Sequence, residues 1–147
     1  PETPTIALYA AFGDSLTLEG AHLSPVRAAP GDAVILDLYW RARTPEPRDL
    51  VVFCHLLGEA WNPATQGPVW AGHDARPADG GLPVPLWPAG EIVVDRHLLT
   101  IDPAAPEGLY HIEVGIYTAA DGTRLSVSCA GADADHVLLP VEVRVTP

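Results

Sequence analysis

PEGLYHIEVGIYTAADGTRL, residues 106–125, is the stretch from which the rest of the chain can be read. Tyr110, Ile112, Val114 and Ile116 fall on one side of an extended segment, and His111, Glu113, Gly115 and Tyr117 on the other. Side chains alternate across a strand, so this is a β-strand with one face in a core. Ala120-Asp121-Gly122 supplies a turn, and the following residues, 124–128, read as a return strand pairing back on the first.

Outward from this strand, the same period recurs. Val34, Leu36, Leu38 and Trp40 alternate with Asp37, Tyr39 and Arg41 within 33–43. Leu50 to Leu57 is nearly continuous apolar sequence, as expected of a strand covered on both faces, with His55 its one polar residue. Strands are also read at 15–23, 69–75 and 91–101, and at the C-terminus, where Val137, Leu139, Val141, Val143 and Val145 share a face. Ile6 to Phe12 reads as an edge strand or a helical turn, so residues 1–12 are taken as a linker or edge segment and 13–147 as one domain. Residues 58–67 and 76–90 read as long loops, with Trp87 as a pin whose ring caps the core. Residues 131–135 read as an acidic loop.

Seven or eight short strands, separated by sixteen prolines and thirteen glycines and showing no helical period, predict an all-β protein. The expected fold is an immunoglobulin-like sandwich of two antiparallel sheets. Gly108 two residues before Tyr110 resembles a tyrosine corner, in which the phenol hydroxyl bonds a nearby backbone group. Ile112 stands where an immunoglobulin domain has its second cysteine, so the inter-sheet disulfide of antibodies is absent. Cys54 and Cys129 fit either a disulfide or two free thiols, and the residues alone leave both open.

The net charge is −11, there is no lysine, and all eight cations are arginines. Such a chain lacks the basic footprint that phosphate backbones require, so nucleic acid is not an expected partner. No apolar run approaches the roughly 20 residues of a membrane helix, so direct insertion is not expected either. The chain opens at Pro1 without a methionine and reads as a fragment or a processed product.

Several phrases recur in a fixed order: Asp37 to Ala42, Val52 to Leu56, His73 to Pro77, Leu86 to Glu91, Val94 to His97, Gly108 to Tyr110, Val114 to Tyr117, and Arg124-Leu125. In that order the chain resembles, from about Phe12 to Val145, the extracytoplasmic C-terminal β-sandwich of bacterial multi-spanning membrane glycosyltransferases. Those enzymes use polyprenyl-phosphate sugars and are similar to protein mannosyltransferases. Trp61 to Gly67 and Cys54 depart from the pattern. The resemblance implies an accessory domain outside the cytoplasm, at the cell surface, whose partner is carbohydrate or the membrane portion of its own parent chain. Sugar transfer itself would belong to that membrane portion.

Two residue sets carry candidate chemistry. Trp61, Trp70 and Trp87 lie in or near loops, where an exposed indole can stack on a pyranose ring, whereas Trp40 reads as core. Asp95 and His97 share a strand face, and His73, Asp74 and Arg124 can approach them. Imidazole and carboxylate together suit a metal ion, and convergence of the first four would point to a metal-dependent enzyme. The competing role is structural, with Asp74 and Asp95 accepting bonds from backbone or from an Arg76 or Arg124 fork. Asp79, Asp133 and Asp135 match no calcium-loop spacing. No GxSxG, HExxH or P-loop occurs, and no metal, cofactor or catalytic residue is assigned. The expected function is that of a non-catalytic accessory domain for spacing, docking or recognition, with a carbohydrate-binding module and a metal-dependent enzyme as alternatives.

Overall fold

The structure is a computed structural model that describes residues 4–129 and 131–147. The strands are β1 (Ile6–Phe12), β2 (Leu16–Ser24), β3 (Arg27–Ala28), β4 (Ala33–Ala42), β5 (Leu50–Asn62), β6 (Gly67–Ala75), β7 (Ile92–Thr100), β8 (Gly108–Thr118), β9 (Val127–Cys129), β10 (Ala132–Ala134) and β11 (Val137–Val145). Eight of them, all but β3, β9 and β10, have seven residues or more. One sheet has the order β10-β9-β1-β2-β4-β7 and the other β3-β11-β8-β5-β6. Their pairings are antiparallel except for the short β3–β11 contact. This is the expected two-sheet β-sandwich. Among the described residues no helix is long and apolar enough to cross a membrane.

The alternating residues meet between the sheets. Val34, Leu36, Leu38 and Trp40 of β4 are fully buried, as are Ile112, Val114 and Ile116 of β8. Trp40 lies at the centre, with Phe12 edge-on at 5.0 Å and Trp87 tilted against it at 6.4 Å. Trp87 is the pin its loop position suggests, and its indole N–H donates to the Leu82 carbonyl at 2.8 Å. The tyrosine corner also forms, with the Tyr110 hydroxyl donating to the Pro106 carbonyl at 2.6 Å.

Four segments differ from the sequence expectation. Ile6–Phe12 is a strand: β1 pairs with β2 on one side from Ile6 onward, and Ala10–Phe12 pairs with β9 on the other, where Ala10 and Phe12 are buried. Pro1 to Thr3 of that segment lie outside the described residues. The expected loop 58–67 is mostly strand, because β5 runs on to Asn62 and closes tightly onto β6. The return after Asp121-Gly122 makes one bridge, Tyr117 to Arg124, and then crosses to the other sheet, where β9 pairs with β1. Leu125 and Val127 are buried by that crossing, which accounts for its direction. Within the expected acidic loop, β10 pairs with β9. Cys54 and Cys129 are free thiols, Cys54 buried in β5 and Cys129 part-buried in β9.

Between β4 and β5, Thr44-Pro45-Glu46-Pro47 ends the strand and buries a carboxylate. Glu46 is 6% exposed and accepts from the Ser15 hydroxyl at 2.6 Å and from the backbone and side chain of Arg48 at 2.9–3.0 Å. The Arg48 fork is the main cause that holds the Glu46 carboxyl down to about 2 against desolvation. Because the folded value lies below the ordinary one, the stabilisation is complete above the unfolded carboxyl's pKa. It is lost as pH falls from there toward the folded value. Glu46→Gln is expected to lose about 2–3 kcal/mol at neutral pH, allowing for screening of the half-exposed arginine. Urea denaturation at about pH 7 and about pH 2.5 checks this, and an equal gap between wild type and variant at both values contradicts it.

Candidate functional site

The five polar residues singled out from the sequence separate into two groups. β6 ends one sheet and β7 ends the other, so these two edges close against each other along one side of the sandwich. Alternation points His73 of β6 and His97 and Asp95 of β7 into that seam. His97 Nδ1 lies 2.7 Å from His73 Nδ1, and His97 Nε2 lies 2.6 Å from Asp95 Oδ2. Asp95 also accepts from Trp40 Nε1 at 3.3 Å and from the Ala78 backbone N–H at 2.8 Å. Asp95 and His97 are fully buried.

Asp74, next in sequence to His73, points to the opposite face, so the four-residue metal pocket does not assemble. The nitrogens of His73 and His97 that meet are spent on each other, and Asp95 serves three donors. Among the described residues no group of three or more His, Cys, Asp or Glu side chains is placed to hold a metal ion. The seam is a structural node, closer to the competing reading of Asp95 than to a catalytic one.

Asp74 and Arg124 belong to the outer face of the β5–β6–β8 sheet. The Tyr117 hydroxyl donates to Asp74 Oδ2 at 3.1 Å. His55 Nδ1 bonds Glu113 Oε1 at 2.9 Å, and His55 Nε2 approaches Asp74 at 3.6 Å. His136 approaches Glu113 at 3.7 Å and bonds Asp135 at 2.8 Å, and Asp135 in turn meets Arg124 at 3.4 Å. The bond from His55 holds the Glu113 carboxyl below its ordinary range, and the bond from His136 does the same for Asp135.

Beneath these groups lies Phe53, stacked between His55 at 5.0 Å and Tyr117 at 6.2 Å, with the Arg124 guanidinium over its ring at 4.4 Å. Glu113 and His136 were not singled out from the sequence. The outward alternation of His111, Glu113 and Tyr117 was the available signal for Glu113. His136 lacked one, because it reaches the face only through the β11 pairing.

The tryptophans also separate. Trp70 and Trp87 are 5% and 4% exposed, so neither offers a free ring face. The Trp70 N–H is spent on the Ala60 carbonyl at 3.1 Å. Trp61 is 66% exposed on the extended β5–β6 hairpin. Its neighbour Asn62 helps line an open cleft of about 430 Å³, together with His55, Thr65, Trp70, Thr100 and Asp102. Asn62 braces that cleft, donating to Val69 O at 2.9 Å and to Asp102 Oδ2 at 3.3 Å. A second open cleft, of about 510 Å³, lies at the end of the same sheet. Its Arg48 and Arg76 are already forked onto Glu46 and Asp49.

No family model and no curated protein matches the chain. Among solved structures, the chain is similar to one described as the crystal structure of the C-terminal domain of wzt, at 16% identity and a TM-score of 0.60, over 99% of this chain and 83% of that one. It is also similar to Pseudomonas fluorescens alkylpurine DNA glycosylase AlkC bound to DNA containing an abasic site analog, at 14% identity and a TM-score of 0.45, over 90% of this chain and 31% of that one. The second likeness is too distant to carry an argument. The first establishes a shared all-β sandwich, and at that identity the likeness is one of fold.

Proposed function

We propose that the chain is a non-catalytic recognition domain for carbohydrate, held outside the cytoplasm as the accessory part of a membrane-anchored, glycosyltransferase-linked protein. The observation that carries the recognition reading is Trp61. A folded chain gains much by burying an indole, and the other three tryptophans are buried. Trp61 stands two-thirds exposed on the hydrogen-bonded β5–β6 arm, on the opposite side of the strand from its buried neighbour Asn62. A flat aromatic face held open to solvent suits the apolar face of a sugar ring. The membrane-anchored, glycosyltransferase-linked context draws its support from the ordered sequence phrases that resemble such domains.

Acrylamide quenching with a panel of oligosaccharides tests the reading. One indole, Trp61, is expected to be accessible, and a cognate sugar is expected to shield it. Trp61→Ala is expected to change stability by no more than about 0.5 kcal/mol. It should also weaken sugar binding at least about tenfold, a loss of roughly 1.4 kcal/mol. If no glycan shields Trp61, recognition loses its platform and a spacing or docking role stands in its place.

A further inference from the structure

The β6–β7 seam holds a buried, titratable chain that sugar recognition does not use. Two imidazoles joined nitrogen to nitrogen can share one hydrogen at that contact, so one ring donates and the other accepts. His97 Nε2 faces Asp95 and carries the hydrogen there, since a carboxylate only accepts. If both rings become imidazolium, two N–H groups point at each other across the 2.7 Å contact, and it cannot persist.

Two carboxylates face the pair and favour its taking up protons. Asp95 is already committed to three donors. Asp79, from the turn packed on β7, stands 3.7 Å from His73 Nε2 and is largely exposed. From β5 the seam receives the buried Cys54 thiol, which pairs in register with His73. From β4 it receives Leu36, Leu38 and Trp40, which carry no charge.

The same chain holds a strained element. Ala78 and Asp79 both adopt left-handed backbone, with φ of 54° and 55°, which non-glycine residues disfavour. Their turn, Pro77–Gly80, is tied to the sandwich by the Ala78 N–H bond to Asp95. A further tie across the seam is the Asp102 N–H bond to the Trp70 carbonyl at 2.8 Å.

We propose that His73, His97 and Asp95 form a proton-operated latch: uptake of a second proton by the imidazole pair opens the β6–β7 seam and releases the Pro77–Gly80 turn. Amide hydrogen exchange, corrected for intrinsic rate, tests this between about pH 7.5 and about pH 5. In the wild-type chain, protection of the amides of residues 78–82 is expected to fall about tenfold or more on acidification. In His73→Gln, whose amide can still meet His97 Nδ1 but does not titrate, it is expected to change less than about twofold. Protection independent of pH in the wild type, or an equal fall in both proteins, overturns the proposal. Should the variant fail to fold, nitrogen NMR of the wild-type imidazoles decides. Coupled titration of His73 and His97 together with the loss of protection supports the latch, and full protonation of both rings with the turn still protected refutes it.

Discussion

Asp95→Ala is expected to remove about 3–5 kcal/mol of stability, the largest loss from any single polar substitution in this chain. The carboxylate is fully buried, and its two oxygens receive Trp40 Nε1, the Ala78 N–H and His97 Nε2. Alanine would leave three donors in the core without an acceptor, each costing roughly 1–3 kcal/mol if water cannot reach it. Domain stabilities run to about 5–15 kcal/mol, so the loss is a large fraction of the whole. Asp95→Asn keeps the shape and one acceptor oxygen, and should lose less than half as much. Urea unfolding measures both variants. An alanine loss below about 1 kcal/mol would mean that the three donors find other partners and that Asp95 is not the node described above.

The second large effect is expected at Gly115→Ala. Gly115 lies on the outer face of β8, and the Phe53 ring lies flat over it. A methyl group there would sit 2.0 Å from Phe53 Cζ and 2.3 Å from Cε2. The ring has little freedom to slide, being flanked by His55 and Tyr117 and roofed by Arg124, and it is 1% exposed. The substitution should therefore push Phe53 outward, displace Arg124 and break the stack, at a cost of about 2–3 kcal/mol. Coupling is the sharper readout: Phe53→Leu in the Gly115→Ala background should recover at least about 1 kcal/mol relative to additivity. Strict additivity of the two substitutions in thermal or urea unfolding would show that the ring and the glycine do not constrain each other.

Gly115 lies on a strand whose pattern was plain from the start, whereas both faces of the strand carrying Asp95 are half apolar and left its register open. The alternation in β4, β8 and β11 named the buried face of each, because the strand period of two is a local property of the backbone. The tyrosine corner and the Trp87 pin were legible for a similar reason, each being a short-range arrangement anchored by proline or glycine. Trp61 was legible only as a member of a set. Its exposure, and the burial of Trp70 and Trp87, depended on which loops turned out to be strand.

His73 and Asp74 show where local reading stops. They are adjacent, so alternation alone sends them to opposite faces, yet the sequence does not say which strand waits on either side. The seam partner of His73 is 24 residues away in the other sheet, and the Tyr117 partner of Asp74 is 43 residues away. The same limit applies to β1 and β9, whose pairing crosses more than a hundred residues.

By itself, then, the sequence determined most of the long strands, the inward faces of β4, β8 and β11 and the two-sheet class, all of which follow from period and turn chemistry. Tertiary structure alone decided which strand pairs with which, the sorting of one polar list into a buried seam and an outer face, and the single indole left to solvent. Pairing is settled by the burial and hydrogen bonding of the whole sandwich at once, and no local stretch contains that sum.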